Sequence, residues 1–292
     1  MDETDFVILK KLMENSRVTF RELAETIGMS VSSTHKRINK LVDDGVIKSF
    51  FVRPSALALK YLPVLIYGTS TAKSLDSVSK ELGQHECVEN VAIATGKIVF
   101  VSGILRDLSE LQDYSTFVSK TAQISEPFVG IINIPYITSP EPLTTIDYRI
   151  LKALNKDARK PITDVADEVG LTAKTVKKRL DRMLENYLVE ISIQMEAEYN
   201  LVTGFHISLK EGANIDKIVQ GLNEKYGQTV IYILNYSNVP NFLSFYIWTT
   251  TLQDSQKINK ELHDMGFTDI IPFIFLNSNF YDTWVEQLLR TK

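Results

Sequence analysis

The sequence predicts an α+β chain in which two winged helix-turn-helix modules alternate with two βαββαβ ferredoxin-like domains. Three observations carry this. The chain repeats itself at an offset of 142 residues, each repeat opens with three blocks of helical periodicity, and each continues as strand, helix, strand, strand, helix, strand. A length of 292 residues suits more than one domain, and 44% hydrophobic with 23% charged residues describes a folded chain rather than a disordered one.

The repeat runs without a gap from Asp5 to Lys48. Asp5 to Leu12 lie over Asp147 to Leu154, Arg17 over Arg159, Ala24 over Ala166, Gly28 over Gly170, and Lys36-Arg37 over Lys178-Arg179. Ile8, Leu9 and Leu12 mark the first helix; Phe20, Leu23, Ala24 and Ile27 the second; Val31, Thr34, Ile38, Leu41 and Val42 the third. The second copy repeats this with Ile150, Leu151 and Leu154, then Ile162, Val165, Ala166 and Val169, then Ala173, Val176, Leu180, Met183 and Leu184.

Between the second and third helices stand Gly28-Met29-Ser30 and Gly170-Leu171-Thr172. Glycine ends a helix because it tolerates a left-handed backbone, and Ser or Thr starts the next by accepting a bond from an orphan amide. This is a helix-turn-helix, with Ala24 and Ala166 small enough for the helices to cross closely. Gly45 stops the third helix of the first copy, and Asn186 is expected to take the left-handed position in the second. Val46 to Val52 and Leu188 to Ile193 then read as the strands of a wing in each module.

The segments that follow match in pattern. Strands are expected at Leu62 to Thr69, Val88 to Ala94, Ile98 to Leu105 and Phe128 to Tyr136, with helices at Leu75 to Leu82 and Leu108 to Thr121. The second set has strands at Phe205 to Leu209, Val230 to Tyr236, Phe242 to Thr249 and Ile270 to Asn277, and helices at Ile215 to Tyr226 and Gln253 to Met265. The domains are thus 1–54 and 143–196 for the winged modules, 60–138 and 202–281 for the βαββαβ domains, and 282–292 for a helical C-terminal tail. Runs such as Ile98-Val99-Phe100-Val101 and Phe245-Tyr246-Ile247-Trp248 require both faces of each sheet to be covered. Helices cover one face, and a second sheet of the same kind is the natural cover for the other.

Net charge is −4, with 36 acidic and 32 basic residues, so any nucleic acid is held by a local cluster rather than by bulk charge. The acidic N-terminus lacks the features of a signal peptide, and the single cysteine, Cys87, forms no internal disulfide, which points to the cytoplasm. His85 with Cys87 is half a metal pair without a second half, and neither Gly-x-Gly-x-x-Gly nor a phosphate-binding loop occurs, so no metal or cofactor is expected. The aromatic residues of the second sheet, Phe242, Phe245, Tyr246, Trp248, Phe273 and Phe275, read as core.

Helix three of each copy is the expected DNA reader. Its exposed positions are Ser32, Ser33, His35, Lys36, Asn39 and Lys40, with Arg37 at the edge; in the second copy they are Lys174, Thr175, Lys177, Lys178, Asp181 and Arg182, with Arg179 at the edge. A helix fits the major groove, where such side chains bond phosphates and base edges; for Arg37 and Arg179 an internal salt bridge is the alternative.

Asp-x-x-Ile-Leu-x-x-Leu in helix one, Ala-x-x-x-Gly-Met-Ser or Ala-x-x-x-Gly-Leu-Thr at the turn, Lys-Arg-Ile or Lys-Arg-Leu in helix three, Gly45-Val46-Ile47 and the βαββαβ domain behind resemble the Lrp/AsnC family of transcriptional regulators. The resemblance spans nearly the whole chain as two fused copies. It implies a sequence-specific regulator binding double-stranded DNA, with RAM-type βαββαβ domains. The family's effector region carries Thr-Gly-x-x-Asp; here Thr95 and Gly96 keep the Thr-Gly, and Val99 stands where the Asp would be, so amino-acid sensing is not expected. In single-copy relatives the open sheet face packs against a second subunit. Here the two copies can close that interface within one chain, with Ser139 to Thr145 as a stiff connection, and a homodimer of such pseudo-dimers is expected. An architectural DNA binder with little sequence preference is the alternative. The same tandem architecture also resembles fused siroheme decarboxylases, whose His-Cys-Tyr-Arg cluster and Trp-Pro-Tyr-Asn stretch are not present: Glu86 precedes Cys87, and Thr249 and Val285 follow Trp248 and Trp284. No enzymatic activity is therefore expected.

Overall fold

Residues 1–134, 142–155, 157–195 and 201–292 are described by a computed structural model. In chain order the first half comprises α1 (Glu3–Glu14), α2 (Phe20–Ile27), α3 (Val31–Asp43), β1 (Ile47–Pro54), α4 (Ala56–Leu59), β2 (Leu62–Thr69), α5 (Leu75–Leu82), β3 (Val88–Ala94), β4 (Ile98–Leu105), α6 (Leu111–Ala122) and β5 (Phe128–Ile131). The second half comprises α7 (Thr145–Leu154), α8 (Ile162–Val169), α9 (Ala173–Glu185), β6 (Val189–Met195), β7 (Leu201–Ser208), α10 (Ile215–Tyr226), β8 (Val230–Tyr236), β9 (Val239–Thr249), α11 (Leu252–Asp264), β10 (Asp269–Phe280) and α12 (Trp284–Thr291). Tyr136, Glu196 and residues 139–141 of the Ser139 to Thr145 connection fall outside the described residues.

Each βαββαβ unit forms an antiparallel sheet, in the orders β5-β2-β4-β3 and β10-β7-β9-β8. Edge strands β3 and β10 pair, with Asn90 opposite Phe280, so the eight strands form one sheet. Its far ends also meet: Ile132, just past β5, bridges Tyr236 at the end of β8, and Asn133 donates its N–H to the Asn235 carbonyl at 2.9 Å. The helix-free faces thus enclose a common interior of Leu65, Phe100, Tyr236, Tyr246 and Phe273, in which Ile98 and Phe242 also pack. The helices cover the outside, α5 and α6 through Val78, Leu82 and Val118, α10 and α11 through Leu222, Ile258 and Leu262. The expected sheet-on-sheet pairing is therefore met inside one chain, through the β3–β10 pairing and the Ile132–Tyr236 bridge.

The wings depart from expectation. β1 and β6 do not build separate hairpins; they pair with each other, Phe50 opposite Ile193 and Arg53 opposite Glu190, in a ribbon shared by both modules. Phe50 packs against the cores of both. Val31 and Val42, expected in the core, are 49% and 39% exposed, while Thr34, Ile38 and Leu41 hold the buried face of α3. Asn186 keeps a right-handed backbone and donates its side-chain amide to the Arg182 carbonyl at 2.8 Å; Tyr187 takes the left-handed position instead, at φ 55°.

Each module also leans on the far half of the chain. Phe6 of α1 stacks on Trp248 of β9, with ring centroids 5.2 Å apart and planes 5° from parallel. The C-terminal α12 places Leu289 in the second module's core, and Trp284 Nε1 donates to the Ile104 carbonyl of the first sheet at 2.8 Å.

Candidate nucleic-acid interface

The two helix-turn-helix corners are near copies of each other. Gly28 and Gly170 both sit at φ 67°, a left-handed conformation favoured by glycine, and end α2 and α8. Ser30 Oγ then accepts the Ser33 N–H at 3.1 Å, and Thr172 Oγ1 accepts the Thr175 N–H at 3.1 Å, starting α3 and α9. These caps engage two of the expected DNA-contact residues, since the Ser33 hydroxyl lies 2.9 Å from Ser30 Oγ and that of Thr175 2.8 Å from Thr172 Oγ1.

The outward face of α3 exposes Ser32, His35, Lys36, Asn39 and Lys40, and that of α9 exposes Lys174, Lys177 and Lys178. His35 meets the edge of Phe20, with centroids 4.7 Å apart, and its Nδ1 lies 3.4 Å from the Asn39 amide. Lys177 pairs with Asp181 at 2.6 Å, whereas Lys36, Lys40, Lys174 and Lys178 form no ion pair among the described residues.

The arginines at the helix edge lie in internal ion pairs. Arg37 bonds Asp2 at 2.9 Å and Asp5 at 2.7 Å, tying α3 to the start of α1. Hydrogen bonding to Arg37 holds the Asp2 carboxyl below its ordinary range, and the two carboxylates raise the guanidinium. In the second module the stoichiometry reverses: Arg179, at 3.1 Å, and Arg182, at 2.6 Å, share Asp147, whose side chain is fully buried. Burial opposes charge on Asp147, but hydrogen bonds from the Thr144 N–H and hydroxyl, and from Arg179, hold its carboxyl below the ordinary value. Arg182, read from sequence as an exposed contact, is thus half-buried and tied to α7.

A second constellation, missed from sequence, locks the modules together. Arg159 donates to the carbonyls of Ser16 at 2.7 Å and Val18 at 3.3 Å, and its guanidinium lies 4.6 Å from the Phe20 ring centroid. Arg17 reciprocates, donating to the carbonyls of Ala158 and Lys160, the latter at 2.9 Å. Burial lowers the pKa of both guanidiniums. Main-chain bonds repeat the symmetry, Ser16 N–H to the Ile191 carbonyl at 2.9 Å and Ala158 N–H to the Phe50 carbonyl at 3.1 Å. The self-alignment placed Arg17 over Arg159; the targets, on opposite modules, lie 141 to 143 residues away.

The remaining sequence candidates lie elsewhere. Thr95 and Gly96 form the turn between β3 and β4, where Thr95 Oγ1 accepts the Ile274 N–H of β10 at 3.1 Å, joining the two sheets; Val99 is fully buried. Cys87 is buried, and burial pushes its thiol up to about 12. A cavity of about 440 Å³ between the second module and the first sheet is lined by Arg53, Tyr61, Ile104 and Tyr187, among others. Arg53 there bonds Glu89 and, at 2.7 Å, Glu190, so the ribbon is ion-paired to β3. Among the described residues there is no group of three or more His, Cys, Asp or Glu placed to hold a metal ion, and no helix is long and apolar enough to cross a membrane.

Residues 1–48 match the winged helix-turn-helix DNA-binding family, and residues 143–184 match the AsnC-type helix-turn-helix domain. An uncharacterised HTH-type transcriptional regulator of Pyrococcus furiosus is 30% identical over 116 residues, covering 39% of this chain and 78% of the relative. The HTH-type transcriptional regulator LrpA of Pyrococcus horikoshii is 30% identical over 115 residues, covering 39% of this chain and 82% of LrpA. Over its whole length the chain is similar in structure to the siroheme decarboxylase NirDL, with a TM-score of 0.62 and 16% identity, covering 99% of this chain and 98% of NirDL. At that identity the likeness is one of fold: the same tandem architecture.

Proposed function

The chain belongs to the Lrp/AsnC family of helix-turn-helix proteins, and from that premise we propose that it is a sequence-specific regulator of transcription that binds double-stranded DNA with both modules of one chain. The observation that carries the reading is the locked pair of helix-turn-helix corners, each presenting an exposed helix with lysines that form no ion pair among the described residues: Lys36 and Lys40 on α3, Lys174 and Lys178 on α9. Such helices fit the major groove, and a fixed pair of them suits two neighbouring half-sites. Free amino acids are expected to leave DNA affinity unchanged, because Val99 is buried where the family places a carboxylate and Thr95 is engaged by β10. Calorimetric titration with a panel of amino acids checks this. Assembly into a homodimer of pseudo-dimers is part of the proposal, and light scattering at dilute concentration tests it.

The test of function is selection of duplexes from a random pool, followed by affinity measurements on selected and random DNA at one salt concentration. A specific regulator prefers its site by about 1,000-fold or more; a preference below about tenfold supports the architectural alternative. The shared fold with NirDL motivates a second reading, an enzyme acting on siroheme, and absorbance titration of the chain with siroheme addresses it. Tight siroheme binding with no DNA binding would overturn the regulator reading.

A further inference from the structure

The two reading helices are chemically unlike, and from this, granting the DNA-binding reading above, we propose that the chain recognises a non-palindromic duplex in which the first module reads base edges and the second anchors the backbone.

At equivalent positions, 142 residues apart, α3 presents Ser32, His35 and Asn39 where α9 presents Lys174, Lys177 and Asp181. This trio on α3 is exposed and offers directional hydrogen-bonding groups; an asparagine amide matches the paired donor and acceptor of adenine in the major groove. Lysine is a flexible point charge that follows phosphates without reading sequence, and Lys174, Lys177 and Lys178 are all exposed on α9. Each helix also carries two lysines outside any ion pair among the described residues, Lys36 and Lys40 on α3 and Lys174 and Lys178 on α9, so both modules can meet the backbone; the base-edge chemistry of His35 and Asn39 belongs to α3 alone, since α9 carries the Lys177–Asp181 ion pair at those positions. Since Arg17 and Arg159 bind the modules to each other, the two unlike helices are presented as one unit. Under one chain, a two-fold symmetric stretch would match only one of the two surfaces, whereas an asymmetric stretch matches both.

The experiment uses the full chain, its selected duplex and a random duplex, measured by fluorescence anisotropy over a range of salt concentrations. Lys174→Ala with Lys178→Ala is expected to weaken binding to both duplexes by the same factor and to reduce the slope of log affinity against log salt by about 1.8, or about 0.9 per phosphate contact. Asn39→Ala is expected to weaken the selected duplex alone, by between about fivefold and about 150-fold, with the salt slope unchanged. All these residues are exposed, so the variants are expected to melt with the wild type. Selected sites in which the stretch covered by one chain itself consists of two identical inverted halves overturn the proposal, as does a loss of discrimination in the lysine variant without one in Asn39→Ala; in both cases the DNA-binding reading stands. A wild-type chain that binds no duplex overturns that reading itself, and this proposal with it.

Discussion

Removing one arginine of the seam tests whether it holds the modules together. Arg159→Met keeps an unbranched chain of comparable bulk against Phe20 while deleting the guanidinium, which donates to Ser16 and Val18 at 2.7 and 3.3 Å. A hydrogen bond from a charged donor contributes about 1.5–3 kcal/mol, and the ring contact at 4.6 Å adds about 0.5–1 kcal/mol. Against this stands relief of the cost of desolvating a cation beside Arg17, whose like charge further lowers the Arg159 pKa. The net loss is set at about 3 kcal/mol, which for a chain of this size shifts Tm by about 6 °C. Either single change already removes that repulsion, so the sum of the two single variants credits its relief twice and the double variant only once; the double variant is expected to cost more than that sum. Thermal melting gives the magnitude, and hydrogen exchange locates it: the Ser16 and Ala158 amides, bonded across the seam to Ile191 and Phe50, lose protection first. Insertion of base pairs between the two halves of a selected DNA site is then tolerated better by the variant than by the wild type. If Arg159→Met melts within about 1 °C of wild type and the Ser16 amide keeps its protection, the arginines do not hold the modules together and the reasoning fails.

His206 is 3% exposed among the rings of Tyr67, Phe100, Phe242 and Phe273, and its Nε2 has no partner among the described residues; burial lowers its pKa to about 3. The unfolded chain therefore binds a proton that the folded chain refuses, and stability, full above pH 6.5, falls by about 1.4 kcal/mol per pH unit below it until about pH 3. Urea titrations at pH 7.5 and 5 check this, and His206→Leu is expected to remove that part of the slope. Tyr187 holds φ 55° with its side chain 60% exposed, so Tyr187→Gly relieves a left-handed backbone and is expected to raise stability by about 1 kcal/mol, read from the urea midpoint. Phe6→Ala removes a buried ring from Trp248 and is expected to cost about 3–5 kcal/mol and to red-shift the tryptophan emission as water reaches the indole; an unshifted spectrum counts against docking of α1 on β9.

What could be read from sequence was what is decided within a few residues. The bonds of Gly28-Met29-Ser30 and its copy close over three to five positions, and the apolar spacing of Ile8, Leu9 and Leu12, or of Val78 and Leu82, marks the buried face whatever lies opposite. Strands β2, β3, β4 and β8 and helices α5 and α10 therefore begin and end where periodicity and flanking residues place them. Even the cover for the open sheet faces was implied, because β4 and β9 are apolar on both sides. The partners across long loops were not legible. That β1 pairs with β6 rather than folding into its own wing is a choice between two strands of similar propensity, made by the seam that brings the modules together. The exposure of Val31 and Val42 follows from how far α3 turns toward α1, which the bonds of Arg37 to Asp2 and Asp5 set. Tyr187 accepts a costly backbone because its carbonyl receives the Ser55 hydroxyl at 2.6 Å from 132 residues away, and Arg182 turns from the surface to a buried carboxylate on another helix. Periodicity reports which side of an element is apolar; which charged side chain meets which carboxylate or carbonyl is decided only when elements far apart in the chain are packed side by side, and at the candidate interface that packing determines which cations remain free for DNA.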